Sequence, residues 1–229
     1  MARRILHAVT NISHYAASSH KTGLWLPELT HAWDIFALNG FEQHIVSPAG
    51  GLSPLEPRAL RWPFLDSSAK AWLRDSSKIM LLEKTLTPAE IDSEKFDAIF
   101  FTGGHTVMWD FPDSHGLQQL TREIYERGGV VSAVCHGYCG LLNTRLSDGT
   151  LLVSGRRITG FSWKEEILTG VSHKMPYNAQ DKMQKQGARY EKALLPFIPY
   201  AVTDGRLLTG QNPASAKLTA RHVVSALKA

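Results

Sequence analysis

The chain has 229 residues, 43% hydrophobic and 20% charged, with a formal net charge of +4. This is the composition of an ordinary globular protein, long enough to bury one sizeable core, and the default at this length is a single α/β domain spanning 1–229. The 25 basic residues are scattered rather than blocked, so the charge gives no nucleic-acid surface, only a mildly basic face open to small anions.

Two cysteines, Cys135 and Cys139, cannot staple a fold of this size, and they point to a reducing, cytoplasmic setting. The start "MARRILHAVTN" lacks the long apolar region and cleavage site of a signal peptide, and no apolar stretch is long enough for a membrane span.

In chain order, "RILHAVT" (4–10) predicts a strand and "GLWLPELTHAWDIFALNG" (23–40) a helix with Pro27 near its start and Gly40 as its stop. "EQHIVSP" (42–48) predicts a second strand, followed by a Gly/Pro-rich loop (49–63) and a helical stretch over 67–82. "FDAIFFTGG" (96–104) is a third strand ending in a glycine turn, 116–129 a helix with a Gly-Gly stop, and "VVSAV" (130–134) a fourth strand with a short helix, "HGYCGLLNT", behind it. A strand is predicted over 156–159, a helix over 178–188, a hairpin over 200–210 on Asp204-Gly205 and a final helix over 213–228. Strands alternating with helices predict an α/β fold, a mostly parallel sheet with helices on both faces. The non-alternating apolar strands 96–101 and 130–134 suit its buried centre. In such sheets the site lies beyond the carboxyl ends of the strands, where "TGG" and "AVCHG" both fall.

"AVCHG" has the small-residue pattern of a nucleophile elbow, with Ala133 and Gly137 two positions either side of Cys135. A helix N-terminus behind it would lower the thiol from about 8.5 into the range of roughly 3.5–7.5. A buried core cysteine fits the same residues, and both readings stand on the motif alone. Cys139, one helical turn on, reads as a small core residue. Glu28 lies amid Leu24, Trp25, Leu26 and Leu29, where a carboxylate must be exposed, paired or protonated, although a helix N-terminus also favours Glu. Gly103 and Gly104 could turn backbone N–H groups toward an anion, or merely make a turn. Glu165 and Glu166 form an acidic pair of the kind that is usually solvated at a helix start.

Together these segments resemble the DJ-1/ThiJ/PfpI superfamily of the class I glutamine-amidotransferase-like fold, and within it the heat-shock-protein-31-like group described as glyoxalase III. The landmarks, in family order over nearly the whole chain, are "KTGLWLPEL", "SPAGGLSPLEP", "FDAIFFTGGHTVMWDFP", "AVCHG", "ITGFSWKEE" and "DGRLLTGQNPASA". The resemblance implies a flavodoxin-like three-layer sandwich with a nucleophile elbow. It implies Cys135 as nucleophile, His136 beside it, Glu28 as the first-helix carboxylate and Glu166 as the third acidic residue, with Glu165 one position away. Departures fall at Thr106, at Tyr138-Cys139 after "CHG" and in "MPYNAQDKMQKQGARY", expected close to or over the pocket, where they bear on the substrate.

The implied activity is cofactor-free conversion of methylglyoxal, a small reactive aldehyde, to D-lactate. In it the Cys135 thiolate would form a hemithioacetal, His136 would move a proton from C1 to C2, and Glu166 would orient His136. Glu28, next to an anion, is expected neutral. Backbone N–H groups near Gly104 and His136 are expected to hold the oxyanion, with His105, Trp109 and Tyr15 at the pocket mouth. No metal is expected, because none of the ten histidines has strong metal-ligand spacing. A homodimer is expected from the resemblance. The same cysteine leaves two alternatives open: a PfpI-type hydrolase or amidase, and a chaperone-like or redox-sensing stress protein.

Overall fold

The structure is a computed structural model in which residues 2–16 and 19–229 are described. Its core is a six-stranded sheet of β1 (Arg4–Ala8), β2 (Glu42–Val46), β3 (Ala98–Phe101), β4 (Val130–Val134), β7 (Ala201–Asp204) and β8 (Leu207–Gly210). The order is β2-β1-β3-β4-β8-β7, with every pair parallel except the β7–β8 hairpin at the edge. The first five positions follow the flavodoxin-like order, which reverses direction between β1 and β3 and so opens a crevice at their carboxyl ends.

Burial of the central strands on both sides follows from their composition. Ala98 and Phe100 of β3 and Val130 and Val134 of β4 pack with Phe36 of α1 (Leu26–Leu38) and with Val223 of the C-terminal helix over 216–228. Their neighbours Ile99, Phe101, Val131 and Ala133 face the other way, onto Leu117 and Ile124 of the helix over 115–126. Each large side chain so buried contributes roughly 1.5–3 kcal/mol, which suits β-branched and aromatic residues at both parities. The far side of α1 (Leu26, Leu29, Trp33) carries a third cluster with Trp72 of α2 (Ser67–Arg74) and Leu82 of α3 (Ser76–Glu83).

Several predicted bounds shift for local reasons. The helix expected from 23 begins at Leu26, because the amides of Leu24 and Trp25 bond the carbonyls of Pro54 (2.8 Å) and Gly103 (3.1 Å) instead. The stretch expected as one helix over 67–82 breaks at Asp75, whose side chain accepts from the Ser77 amide (2.9 Å) and caps α3. Behind Cys135 the turns are 3₁₀ rather than α over Cys135–Leu141. In chain order the remaining helices are α4 (Val107–Asp110), α5 (His115–Glu126), α6 (Trp163–Leu168), α7 (Ala179–Lys185) and α8 (Ala216–Lys228). The strand expected over 156–159 is β5 (Arg157–Ile158), which pairs in parallel with β6 (Arg189–Tyr190) in a small sheet of its own. No helix among the described residues is long and apolar enough to cross a membrane.

Candidate active site

Register brings the catalytic candidates together. Phe101, the last residue of β3, lies opposite Ala133 of β4, so Gly103 and Cys135 leave the sheet side by side. Cys135 sits at φ 55, the left-handed region that a β-substituted residue rarely takes, and this strained turn lifts the side chain above the sheet. Gly137 is required behind it, because a Cβ there would lie 2.3 Å from the Phe101 carbonyl oxygen.

Glu28, in the first turn of α1, is fully buried. Its Oε2 accepts the Gly103 amide at 2.8 Å. Burial pushes the carboxyl up to about 8, only partly offset by the Gly103 amide and by Cys135. Burial also pushes the Cys135 thiol well up, Glu28 adds to this through charge and hydrogen bonding, and the His136 backbone N–H pulls it down. The thiol expected to be lowered by a helix N-terminus is therefore raised in the resting site: a short 3₁₀ terminus does not outweigh full burial beside a carboxyl group.

On the other side of the sulfur, His136 Nδ1 lies 3.4 Å from Cys135 Sγ, and His136 Nε2 lies 2.6 Å from Glu166 Oε2. The second Glu166 oxygen lies 3.0 Å from Nε2 of His105. Burial alone would raise Glu166, but the charge of His136 and hydrogen bonds from both imidazoles hold it well below the usual carboxylate range. An ionised carboxylate only accepts, so both Nε2 atoms are donors, and the other ring nitrogen of His136, Nδ1, is the one that faces the thiol. His105, pushed down to about 4 mainly by burial, is neutral. Its Nδ1 lies 2.8 Å from Arg58 Nη2 and 2.9 Å from the Tyr15 hydroxyl.

Ligand atoms of His105, His136 and Glu166 lie within 4.8 Å of one another, a spacing open to a metal ion. The hydrogen-bond pattern opposes one. Arg58 can only donate, so His105 carries its proton on Nε2 and has no lone pair there for a metal.

A cavity of about 700 Å³ opens over this set, lined by Cys135, His136, His105 and Gly104 and walled by Trp25, Phe64, Phe161 and Phe197. His31 bonds Asp66 on its wall. The structure thus gathers Cys135, His136, Glu28, Glu166, His105 and Gly104. Gly103 is not an oxyanion donor: its amide is committed to Glu28, and a Cβ there would lie 2.8 Å from Glu28 Oε2. Trp109 is not at the mouth but packs edge-on against Tyr15, ring centroids 6.2 Å apart. Glu165 and Glu166 are buried rather than solvated. Glu165 accepts from the Ser162 amide and hydroxyl and, at its other oxygen, from the Phe197 amide and Asn212, so it ties α6 to the segments on either side of the β7–β8 hairpin.

The departures expected near the pocket lie outside it. Tyr138 is fully buried with its hydroxyl on the Phe161 carbonyl (3.2 Å), and Thr106, Cys139 and the 175–190 segment do not line the cavity. Cys139 is a core residue, its thiol pushed up to about 12 chiefly by burial. Sequence reasoning missed Arg58 and the sharing of Glu166 by two histidines; the only signal was Arg58's position directly after "SPLEP".

Comparisons with known proteins place the chain's sequence and fold. The DJ-1/PfpI family profile matches residues 23–226. The chain is 34% identical to the glutathione-independent glyoxalase HSP31 of Saccharomyces cerevisiae, over 99% of this chain and 98% of the yeast protein. It is 32% identical to glyoxalase 3 of Candida albicans, over 98% of each. Among solved structures, glyoxalase III of Candida albicans superimposes with a TM-score of 0.90 at 31% identity, covering 98% of this chain and 97% of that one. The rapid encystment protein of Francisella tularensis gives 0.94 at 31% identity, covering 98% and 99%.

Proposed function

The chain belongs to the DJ-1/PfpI family, and from that premise we propose that it is a glutathione-independent glyoxalase that converts methylglyoxal to D-lactate in defence against reactive carbonyls. The observation that carries this reading is the placing of one cysteine between a neutral acid, Glu28, and a base, His136 Nδ1, at a cavity of about 700 Å³.

The reaction follows from those positions. The Cys135 sulfur bonds to the aldehyde carbon as its proton passes to His136 Nδ1, and Glu28 protonates the aldehyde oxygen to give a hemithioacetal. His136 then passes its proton to the Glu28 carboxylate; neutral again, its Nδ1 takes the C1 proton while Glu28 protonates the C2 carbonyl oxygen, which gives an enediol. His136 delivers its proton to C2 as the C1 hydroxyl gives its own to Glu28, leaving a lactoyl thioester and both groups as they began. Water cleaves that bond, releases D-lactate and restores the thiol. The sum is one methylglyoxal and one water per lactate, with no redox partner. The amides of Gly104 and His136, residues that line the cavity, would hold the developing oxyanion, and Glu166 holds the His136 ring in the required tautomer.

A homodimer in the cytoplasm completes the reading. Exposed apolar side chains, Ile167, Leu168, Leu194 and Leu195 among them, are open to contact with a second copy. The test is pure protein with methylglyoxal in buffer free of amines and thiols, read as D-lactate formed per enzyme. Many equivalents from the wild type, and a loss of at least about 10²-fold in Cys135→Ser and Glu28→Gln, are expected. Wild-type protein that forms no D-lactate would sink the reading.

A further inference from the structure

Arg58 is tied down from one side and acts on the other. Its Nε and Nη2 reach Glu56 at 3.0 and 3.1 Å, and Glu56 in turn accepts from the Thr22 hydroxyl at 2.7 Å. The same Nη2 lies 2.8 Å from both the Tyr15 hydroxyl and His105 Nδ1. A proton on His105 Nδ1 would set two N–H donors against each other at that distance, so Arg58 forces the His105 proton onto Nε2. From Nε2 it is donated to Glu166 Oε1, while His136 uses Oε2. The chain Thr22–Glu56–Arg58–His105–Glu166–His136–Cys135 is continuous; Glu56 accepts from both of its neighbours, and from Arg58 through His105 to Glu166 the donation runs in one direction.

We propose that Arg58, with Tyr15 beside it, is a positioning residue that acts through His105: it fixes the tautomer that donates to Glu166, and so limits how firmly Glu166 can hold a proton on His136.

The physical need for such a device is specific to a base that must be regenerated. Glu166 bonded to His136 alone would give its full charge to the imidazolium and keep it protonated. Sharing that charge with a second N–H donor, itself backed by a guanidinium, weakens the hold. The titratable and charged groups around the pair are Cys135 with Glu28 and Glu165 acting on it, His105, Tyr15, Arg58 and Glu56; Tyr138 and Cys139 also feel Glu166 but are pushed up and neutral. Lys174 sits 5.3 Å over the Tyr15 ring. Loss of Arg58 removes a positive charge, frees Glu56 and unlocks His105, and all three changes favour a proton on His136.

The inference rests on the glyoxalase reading only for its meaning, because its test does not need turnover. Ring-nitrogen NMR of the full chain, assigned with His105→Asn and His136→Asn, reads each tautomer and the pH at which His136 gains its proton. The wild type should show His105 protonated at Nε2. Arg58→Leu should lose that single tautomer and move the His136 titration up by about one pH unit, while Tyr15→Phe should keep the tautomer. Arg58→Lys serves if the leucine variant does not fold, with a smaller shift of the same sign. Nδ1-protonated His105 in the wild type, an unchanged tautomer without Arg58, or a His136 titration that stays put or moves down would each overturn the proposal. A purely structural Arg58 would lower stability and move neither signal.

Discussion

Two helix first turns, those of α1 and α6, each carry a glutamate buried beside the same reactive pair, and one is neutral while the other is ionised. Glu28 on α1 has one backbone amide and a thiol for company, and burial carries it up to about 8. Glu166 on α6 meets the same desolvation, but an imidazole N–H at each oxygen, 3.0 and 2.6 Å away, reverses the outcome and keeps it ionised. Burial therefore does not decide the state of a carboxyl group; the number and kind of donors facing it do. The difference equips a single cysteine with a proton donor on one side and an oriented base on the other, as a proton shift between adjacent carbons requires.

The comparison is broken most severely at Glu166. In Glu166→Gln one carboxylate oxygen becomes an NH₂ facing an imidazole N–H, so one histidine loses its acceptor and His136 loses its counter-charge. Turnover of methylglyoxal is expected to fall on the order of 10²–10⁴-fold, with kcat rather than KM carrying the loss.

A smaller effect, of defined sign, belongs to Glu28. Its folded-state value is raised, so the folded chain holds a proton there that the unfolded chain releases. The stabilisation is whole at low pH and is lost as pH rises through about 8. Glu28→Gln has no such proton to lose. The difference in Tm, variant minus wild type, should grow from pH 5 and level off above about pH 8 in thermal melts, and a flat difference would mean that Glu28 is ionised throughout.

Smallest is Tyr138→Phe, which removes one buried 3.2 Å hydrogen bond to the Phe161 carbonyl, Tyr138 itself lying outside the cavity. It should cost about 1 kcal/mol of stability and leave turnover within about twofold.

The parts of this account that sequence could carry are those set by apolar pattern and by local motif. Strands 130–134 and 98–101 were legible because an unbroken apolar run has few other homes, and Cys135 because small residues flank it at the end of one. The two-residue β5 showed only as the slightly longer stretch 156–159, and the two-residue β6 and six-residue α6 are too short for any period to announce them. Glu166 came through resemblance; nothing local distinguishes it from Glu165, since only the three-dimensional turn shows that one faces His136 and the other caps its own helix. Gly103 looked like an oxyanion donor because sequence places an amide but does not aim it. Arg58 in a proline-rich loop looks like any surface cation, and its hold on His105, 47 positions away, exists only in the fold.

The central claim is that Glu28 is protonated and Glu166 ionised around one cysteine at neutral pH. Infrared difference spectroscopy at pH 7 tests it directly, above the range near 6 to which burial raises Asp110. The account predicts a protonated-carboxyl band that fades through about pH 8, is absent in Glu28→Gln and persists in Glu166→Gln. No such band at pH 7, or a band lost in Glu166→Gln, would contradict it.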